Sequence, residues 1–311
     1  MSVADEIDLI IARAMAEYQD RHPENVVESV VATSSATISS ADSVVSSATQ
    51  AAEVPVWDAT QTESTPNIVP ENSESLLISQ ETSRFSSAVW YEEIQRREVV
   101  LAGLGGIGSY VAFLLSRLDI QNLYLFDPDT VEVGNLSGQL YDDGSIGENK
   151  AIATYNLLTK FSHFYKVNAF SENYSNAVTS DIMMCGFDNM EARKQFFLAW
   201  KGRVALSPNP SKCLFIDGRL AAENLQVLCI KGDDSYSMEK YEREFLFSDE
   251  EAEETICSYK QTTFMANMIG SIMVNLFVNF VANEYCEELI KRDLPFLTEY
   301  SASSMYFKVV A

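Results

Sequence analysis

Gly103, Gly105 and Gly108 follow a short apolar run, Val99 to Ala102, and an acid, Asp127, stands 19 residues beyond the third glycine. In a strand, turn and helix unit each glycine has a physical task. The first permits a tight turn, the second lets backbone approach phosphates, and the third lets helix pack on strand. A carboxylate closing the next strand accepts ribose hydroxyls. The chemistry this spacing offers is nucleotide binding, and the competing reading of the glycines alone is a tight structural turn. Read by themselves, they suit a nicotinamide or flavin oxidoreductase as well as an enzyme using a nucleoside triphosphate.

Positioning these residues takes alternating strands and helices. Val99 to Ala102 and Leu123 to Phe126 read as strands, with a helical pattern from Tyr110 to Leu118 between them. A loop with four glycines follows, then a helix from Ala151 to Phe161 and a weaker strand from Lys166 to Phe170. The stretch from Asp181 to Gly186 reads as a buried strand, Met190 to Trp200 as its helix, and Cys213 to Asp217 and Gln226 to Ile230 as further strands. The alternation predicts an α/β fold with a Rossmann-like, mainly parallel sheet and helices on both faces. Ligands bind such sheets at the carboxyl ends of the strands, which puts the glycine turn, Asp127, Asp188 and the strand end at Asp217 on one rim. Ser235 to Glu254, with its acidic run at 249 to 254, reads as a solvated loop. Phe264 to Ala282 reads as a buried or interface helix, because Asn267, Ser271, Asn275 and Asn279 interrupt it at four-residue steps. Met305 to Val310 could add a terminal strand.

Before the glycine unit the composition changes. Residues 1–20 carry one amphipathic pattern through Ile7, Ile10, Ile11, Ala14 and Met15, and residues 21–83 form a Ser, Thr and acid-rich linker that reads as disordered. Residues 84–311 are then the folded unit, entered through a helical stripe of Phe85, Val89, Trp90 and Ile94. The 311 residues carry a formal charge of −23, and residues 1–83 hold 14 acids and 2 bases of it. Such a balance argues against a grip on nucleic acid or on an anionic membrane. Five cysteines without a CxxC pair fit neither a disulfide framework nor a four-thiolate zinc site, and the first 15 residues lack the basic start of a secretion signal. The expected compartment is the reducing cytoplasm.

Downstream of the turn, four groups recur in order: Asp127-x-Asp129-x-Val131, Asn135-Leu136-x-x-Gln139, Gly147-x-x-Lys150-Ala151 and Asp188-Asn189-x-x-x-Arg193. Together they resemble the adenylating family of ThiF, MoeB and ubiquitin-activating enzymes, over roughly Arg84 to Asn283. RFSSAVWYEEIQ, NLSGQLY, DGRLAAE and CSYKQTT further resemble divergent ThiF-like proteins of phages and mobile elements, for which the compartment would be the host cytoplasm. The resemblance implies a ThiF-type fold that binds Mg-ATP and adenylates a carboxylate. The acceptor would be a ubiquitin-like or sulfur-carrier protein, a peptide or a small carboxylate, and the assembly a homodimer. It puts the nucleotide against Gly103, Gly105, Gly106, Gly108 and Asp129, ribose on Asp127, phosphates beside Asn135, Gln139 and Lys150, and Mg²⁺ on Asp188 next to Asn189. A carboxylate nucleophile is already ionised at neutral pH, so no general base is needed, in keeping with a chain whose only histidines are His22 and His163. Taken singly, Asp127 reads equally as a turn cap, Lys150 as an exposed helix-start lysine, and Asp188-Asn189 as a helix cap.

One position departs from the family. Relatives carry Arg before the Gln of the Asn-Leu motif, and here that residue is Gly138. Loss of a guanidinium that holds phosphate is not conservative. Arg219 is the first candidate to replace it and Arg84 the second; without a substitute, the chain would be a scaffold for a partner subunit. Cys257, beside Lys260, is the candidate for a thioester-forming nucleophile, with the acidic run opposing its ionisation. Cys185 and Cys229 fall in strands and read as core.

Overall fold

The computed structural model describes residues 88–162, 166–221, 223–247, 262–287 and 290–310, all within one compact unit. The expected N-terminal helix and linker, Arg84, Phe85, the acidic run at 249 to 254, Cys257 and Lys260 lie outside the described residues. Eight strands form one sheet: β1 (Glu98–Ala102), β2 (Asn122–Phe126), β3 (Val167–Phe170), β4 (Ile182–Cys185), β5 (Leu214–Ala221), β6 (Asn224–Lys231), β7 (Leu297–Ser301) and β8 (Tyr306–Val310). Their spatial order is β3-β2-β1-β4-β5-β6-β7-β8. The first five are parallel, as expected. From β5 onward each pairing is antiparallel, so the sheet is mixed. The reason is chain length. Ala221 and Asn224 are too close in sequence for the dozen or more residues that a parallel crossover needs.

Strand periodicity of two sorts the core into two layers. Val99, Leu101, Leu123, Leu125, Ile182, Met184, Leu214 and Ile216 face α2 (Gly106–Arg117), α3 (Lys150–Leu158) and α6 (Thr263–Ala282). Val100, Ala102, Phe126, Met183, Cys185 and Phe215 face α4 (Met190–Leu206) and α5 (Ser235–Glu244). Burial on both faces is why these strands read as continuous apolar runs. A short α1 (Tyr91–Arg96) precedes them and buries Tyr91 and Ile94. Of the anticipated stripe, Ile94 lies in α1 and Trp90 at its N-cap, whereas Val89 stands exposed in the turn before it.

Two other expectations change. Ser235 to Glu244 is a helix, not a loop. Asp234 caps it by accepting from the Ser237 N–H at 3.0 Å, and Tyr241 is fully buried among the rings of Phe197, Phe215 and Phe245. Leu297–Ser301 forms β7, an element the sequence reading did not place. The long apolar helix α6 behaves as expected. Its length and mean hydropathy of 1.6 would allow a membrane crossing, yet it packs on α2, β5 and β6 and turns Asn267, Ser271 and Asn275 outward. Cys185 and Cys229 are core residues, and burial pushes the Cys229 thiol up to about 12.

Candidate active site

Backbone meets backbone at the glycine turn. Gly103 has φ +82°, and its N–H donates to the Phe126 carbonyl at 2.9 Å, tying β1 to the end of β2. A β-carbon on Gly103 would lie 2.6 Å from the Gly186 carbonyl carbon, and one on Gly108 would lie 1.8 Å from the Gly103 oxygen. Gly186, just after β4, completes the contact: its own β-carbon would lie 2.6 Å from the Gly103 oxygen. The sequence reading did not single out Gly186. Gly106 is buried where α2 starts, whereas Gly105 is partly exposed and a β-carbon there would meet only Gln139 Nε2, at 3.7 Å. The N-terminus of α2 has no side-chain cap and no acid in its first turn, so its N–H groups and dipole favour an anion over Gly105.

Asp127 closes the turn from the β2 side. Its Oδ2 accepts from the Leu104 N–H at 2.7 Å and its Oδ1 from the Asp129 N–H at 2.9 Å. Burial pushes this carboxyl above the ordinary range, against the pull of those two donors and of Lys150. The turn-capping reading therefore describes its protein contacts. Asn149 continues the arrangement: its Nδ2 donates to the carbonyls of Asp127 (2.9 Å) and Asp129 (3.0 Å), while its Oδ1 caps α3. An Asn directly before a helix start is a recognisable cap signal that could have identified it. Lys150 then begins α3, 8 % exposed, with Nζ 2.9 Å from Asp129 Oδ2.

The loop between them wraps over the turn. The Tyr141 hydroxyl donates to the Leu104 carbonyl at 2.7 Å and contacts Thr154 Oγ1 at 3.1 Å, and burial raises its pKa. Ser109 Oγ accepts from the Leu140 N–H at 3.0 Å. Asn135 is committed to the loop, its Oδ1 accepting from the Glu132 N–H at 2.9 Å. Gly138 is buried and donates its N–H to the Asn135 carbonyl at 3.1 Å. Beside it, Gln139 Oε1 is a buried acceptor with no protein donor.

Asp188 stands exposed just beyond β4, and its Oδ1 is approached by Asn189 Nδ2 at 3.4 Å. Asn189 does the helix capping, accepting from the Ala192 N–H at 2.8 Å, which leaves the Asp188 carboxylate for other partners. Behind it, Arg193 donates from Nη2 to the Phe187 carbonyl (2.5 Å) and from Nε to Asp217 Oδ1 (2.8 Å). Asp217, fully buried, takes Arg219 Nε (2.8 Å) and the Tyr241 hydroxyl (2.9 Å) on Oδ2. Burial would raise the Asp217 pKa, but the Arg193 and Arg219 charges hold it below the ordinary range. Arg219, the first candidate to replace the missing phosphate ligand, reaches the expected rim but is engaged there. Its Nη2 donates to the Phe245 carbonyl at 2.8 Å, and its guanidinium lies near the rings of Tyr241, Phe245 and Phe247.

These groups fit a nucleoside triphosphate and a divalent cation. The open face of Gly105 and the uncapped helix start suit an anionic group, the partnerless Gln139 oxygen suits a hydroxyl or amino donor, and Lys150 supplies a cation. No group of three metal-ligating side chains occurs among the described residues, but Mg²⁺ needs only one or two carboxylates when phosphates and water complete its shell. A cavity of about 310 Å³ lies at the opposite rim, beside Arg97, Asp181 and Arg203. Its cations are paired, Arg97 with Glu93 (3.1 Å) and Arg203 with Asp181 (2.9 Å), and none of the predicted site residues lines it.

Comparison with known proteins agrees with this geometry. A model of the ThiF family matches residues 78–310, well over half of the chain. Ubiquitin-like modifier-activating enzyme 5 of Dictyostelium discoideum is 31% identical over 121 residues, which are 33% of this chain and 32% of that protein. Its counterpart in Drosophila persimilis matches with the same figures. The chain thus spans about a third of the length of these relatives. Among solved structures, PaaA superposes with a TM-score of 0.57 at 17% identity, covering 80% of this chain and 76% of that one. Escherichia coli MccB solved with ATP gives 0.54 at 15% identity, covering 78% of each chain. At such identities the structural likeness shows the fold.

Proposed function

The chain belongs to the ThiF family, and from that premise we propose that it is an ATP-dependent adenylyltransferase that transfers AMP to a carboxylate and releases pyrophosphate. The observation that carries this reading is the glycine turn, whose open position, Gly105, lies beside the Gln139 amide, with Nε2 nearest it, at the start of an uncapped helix. ATP would supply the adenylyl group, with pyrophosphate leaving, and Mg²⁺ would offset charge on its phosphates. Lys150 would exchange its exposed partner Asp129 for a phosphate oxygen, acting as a point charge. Asp188 would hold the metal, and the α2 dipole would stabilise the phosphate nearest Gly105. Asp127 and Asn149 keep the loops fixed, so that the acceptor carboxylate meets an aligned phosphorus.

The acceptor would be a small protein or peptide. One relative is named as activating a ubiquitin-like modifier, which supports this class, and MccB has been solved with MccA. A thioester step at Cys257, a homodimer, a cytoplasmic setting and a folded unit preceded by an acidic arm complete the proposal. The test is incubation with Mg-ATP and candidate acceptors, measuring pyrophosphate and seeking an acyl-adenylate by mass spectrometry. Pyrophosphate release that requires acceptor and Asp188 supports the reading; release unaffected by Asp188→Ala refutes it. A second reading, a catalytically impaired scaffold, is favoured by Gly138 together with the engagement of Arg219 by Asp217 and Phe245. It predicts little or no ATP binding.

A further inference from the structure

We propose that Arg193, Asp217, Arg219 and Tyr241 are positioning residues that set the turn carrying Asp188 and couple it to the C-terminal end of α5. This inference rests on the Mg-ATP reading of the site. The bonds form an unbroken path. Arg193 Nη2 holds the Phe187 carbonyl, one residue before Asp188, and Arg193 Nε holds Asp217 Oδ1. The other Asp217 oxygen holds Arg219 Nε and the Tyr241 hydroxyl, and Arg219 Nη2 ends the path on the Phe245 carbonyl, just beyond α5.

Burying Arg193 and Asp217 and half-burying Arg219 is costly, and an apolar cluster of similar volume would pack the same layer without that cost. What the charged cluster adds is direction: each bond fixes one atom of the next group, and the last fixes the carbonyl at the Asp188 turn. The turn needs such support. Asp188 itself is exposed, and its described side-chain hydrogen bond is the long one to Asn189, so backbone placement decides where its carboxylate stands. Groups that orient a metal ligand affect metal affinity without touching the metal.

The test uses the full chain with Arg219→Gln and the milder Tyr241→Phe. Amide hydrogen exchange is followed at residues 186–189, and ATP is titrated calorimetrically with Mg²⁺ and with EDTA. Arg219→Gln is expected to speed exchange at 187–189 and to weaken Mg-ATP binding by about tenfold or more, leaving metal-free ATP binding unchanged. Tyr241→Phe should show the same pattern, smaller. Lowered melting temperature with unchanged exchange at 187–189, or an equal loss of ATP affinity with and without Mg²⁺, would overturn the relay. Failure of the wild-type chain to bind ATP would overturn the nucleotide reading instead, and the exchange measurement would still decide whether the cluster sets this turn.

Discussion

The carbonyl oxygen of Gly103 fills the space that a β-carbon on residue 108 would need, 1.8 Å from it. Contact that close cannot be relieved by rotating a side chain, since both partners are backbone. Gly108→Ala should therefore destabilise the fold by about 1–3 kcal/mol or more. Gly105→Ala should not, because its β-carbon would meet only Gln139 Nε2 at 3.7 Å, yet it should weaken ATP binding by narrowing the cradle. Thermal melts and ATP titrations of both variants check the contrast. Equal effects on stability would contradict it.

Gln139 makes a second separation of stability from function. A buried acceptor without a donor costs about 1–3 kcal/mol. Gln139→Met should raise the melting temperature of the ligand-free chain while reducing the extra stabilisation that ATP provides. A variant that lowers the first or preserves the second would show that the oxygen is not reserved for ligand.

Lys150 and Asp129 should respond unequally. Asp129 is 63% exposed at its side chain, so Asp129→Asn should cost only about 0–1 kcal/mol of stability. Lys150→Met preserves the stem of a residue that is 8% exposed, and it should leave melting nearly unchanged while removing most pyrophosphate release. Denaturant melts alongside a pyrophosphate assay distinguish them.

Acid should act through Asp217. Its pKa is depressed in the folded state, so its contribution is fully present above the unfolded carboxylate value of about 3.9 and is lost as pH falls through the lower folded value. Stability measured against pH should drop below that point, and Asp217→Asn should flatten the drop. The same variant should be destabilised by about 3–5 kcal/mol at neutral pH, because the buried Arg193 guanidinium and the partly buried one of Arg219 lose their counter-ion. An unchanged acid limb in Asp217→Asn would place the titration elsewhere.

The parallel half of the fold was legible because its strands are buried on both faces and its turns carry glycine, so composition and position agree. The places of Lys150 at a helix start and of Asp188 just beyond a strand were legible from the alternation of elements, and Asn149 could have been read from its place before a helix. Tyr241 was not. Its helix is polar and acidic on all but one side, and Met238, Tyr241 and Phe245 are too few to outweigh a charge-rich composition. The reversal at β6 was available from the short link between two strand candidates. Gly186 stayed invisible because its role depends on a glycine 83 residues earlier, and no local pattern carries that contact. The fate of Arg219 was hidden likewise, since the ring that receives it belongs to the missed helix.

Calorimetric titration of the full chain with ATP and, separately, with NAD⁺ decides whether the glycine turn serves Mg-ATP. ATP is expected to bind saturably, to need an unobstructed Gly105 and to bind more tightly with Mg²⁺, with no comparable binding of NAD⁺. Absence of ATP binding, or preference for NAD⁺, would contradict the Mg-ATP reading.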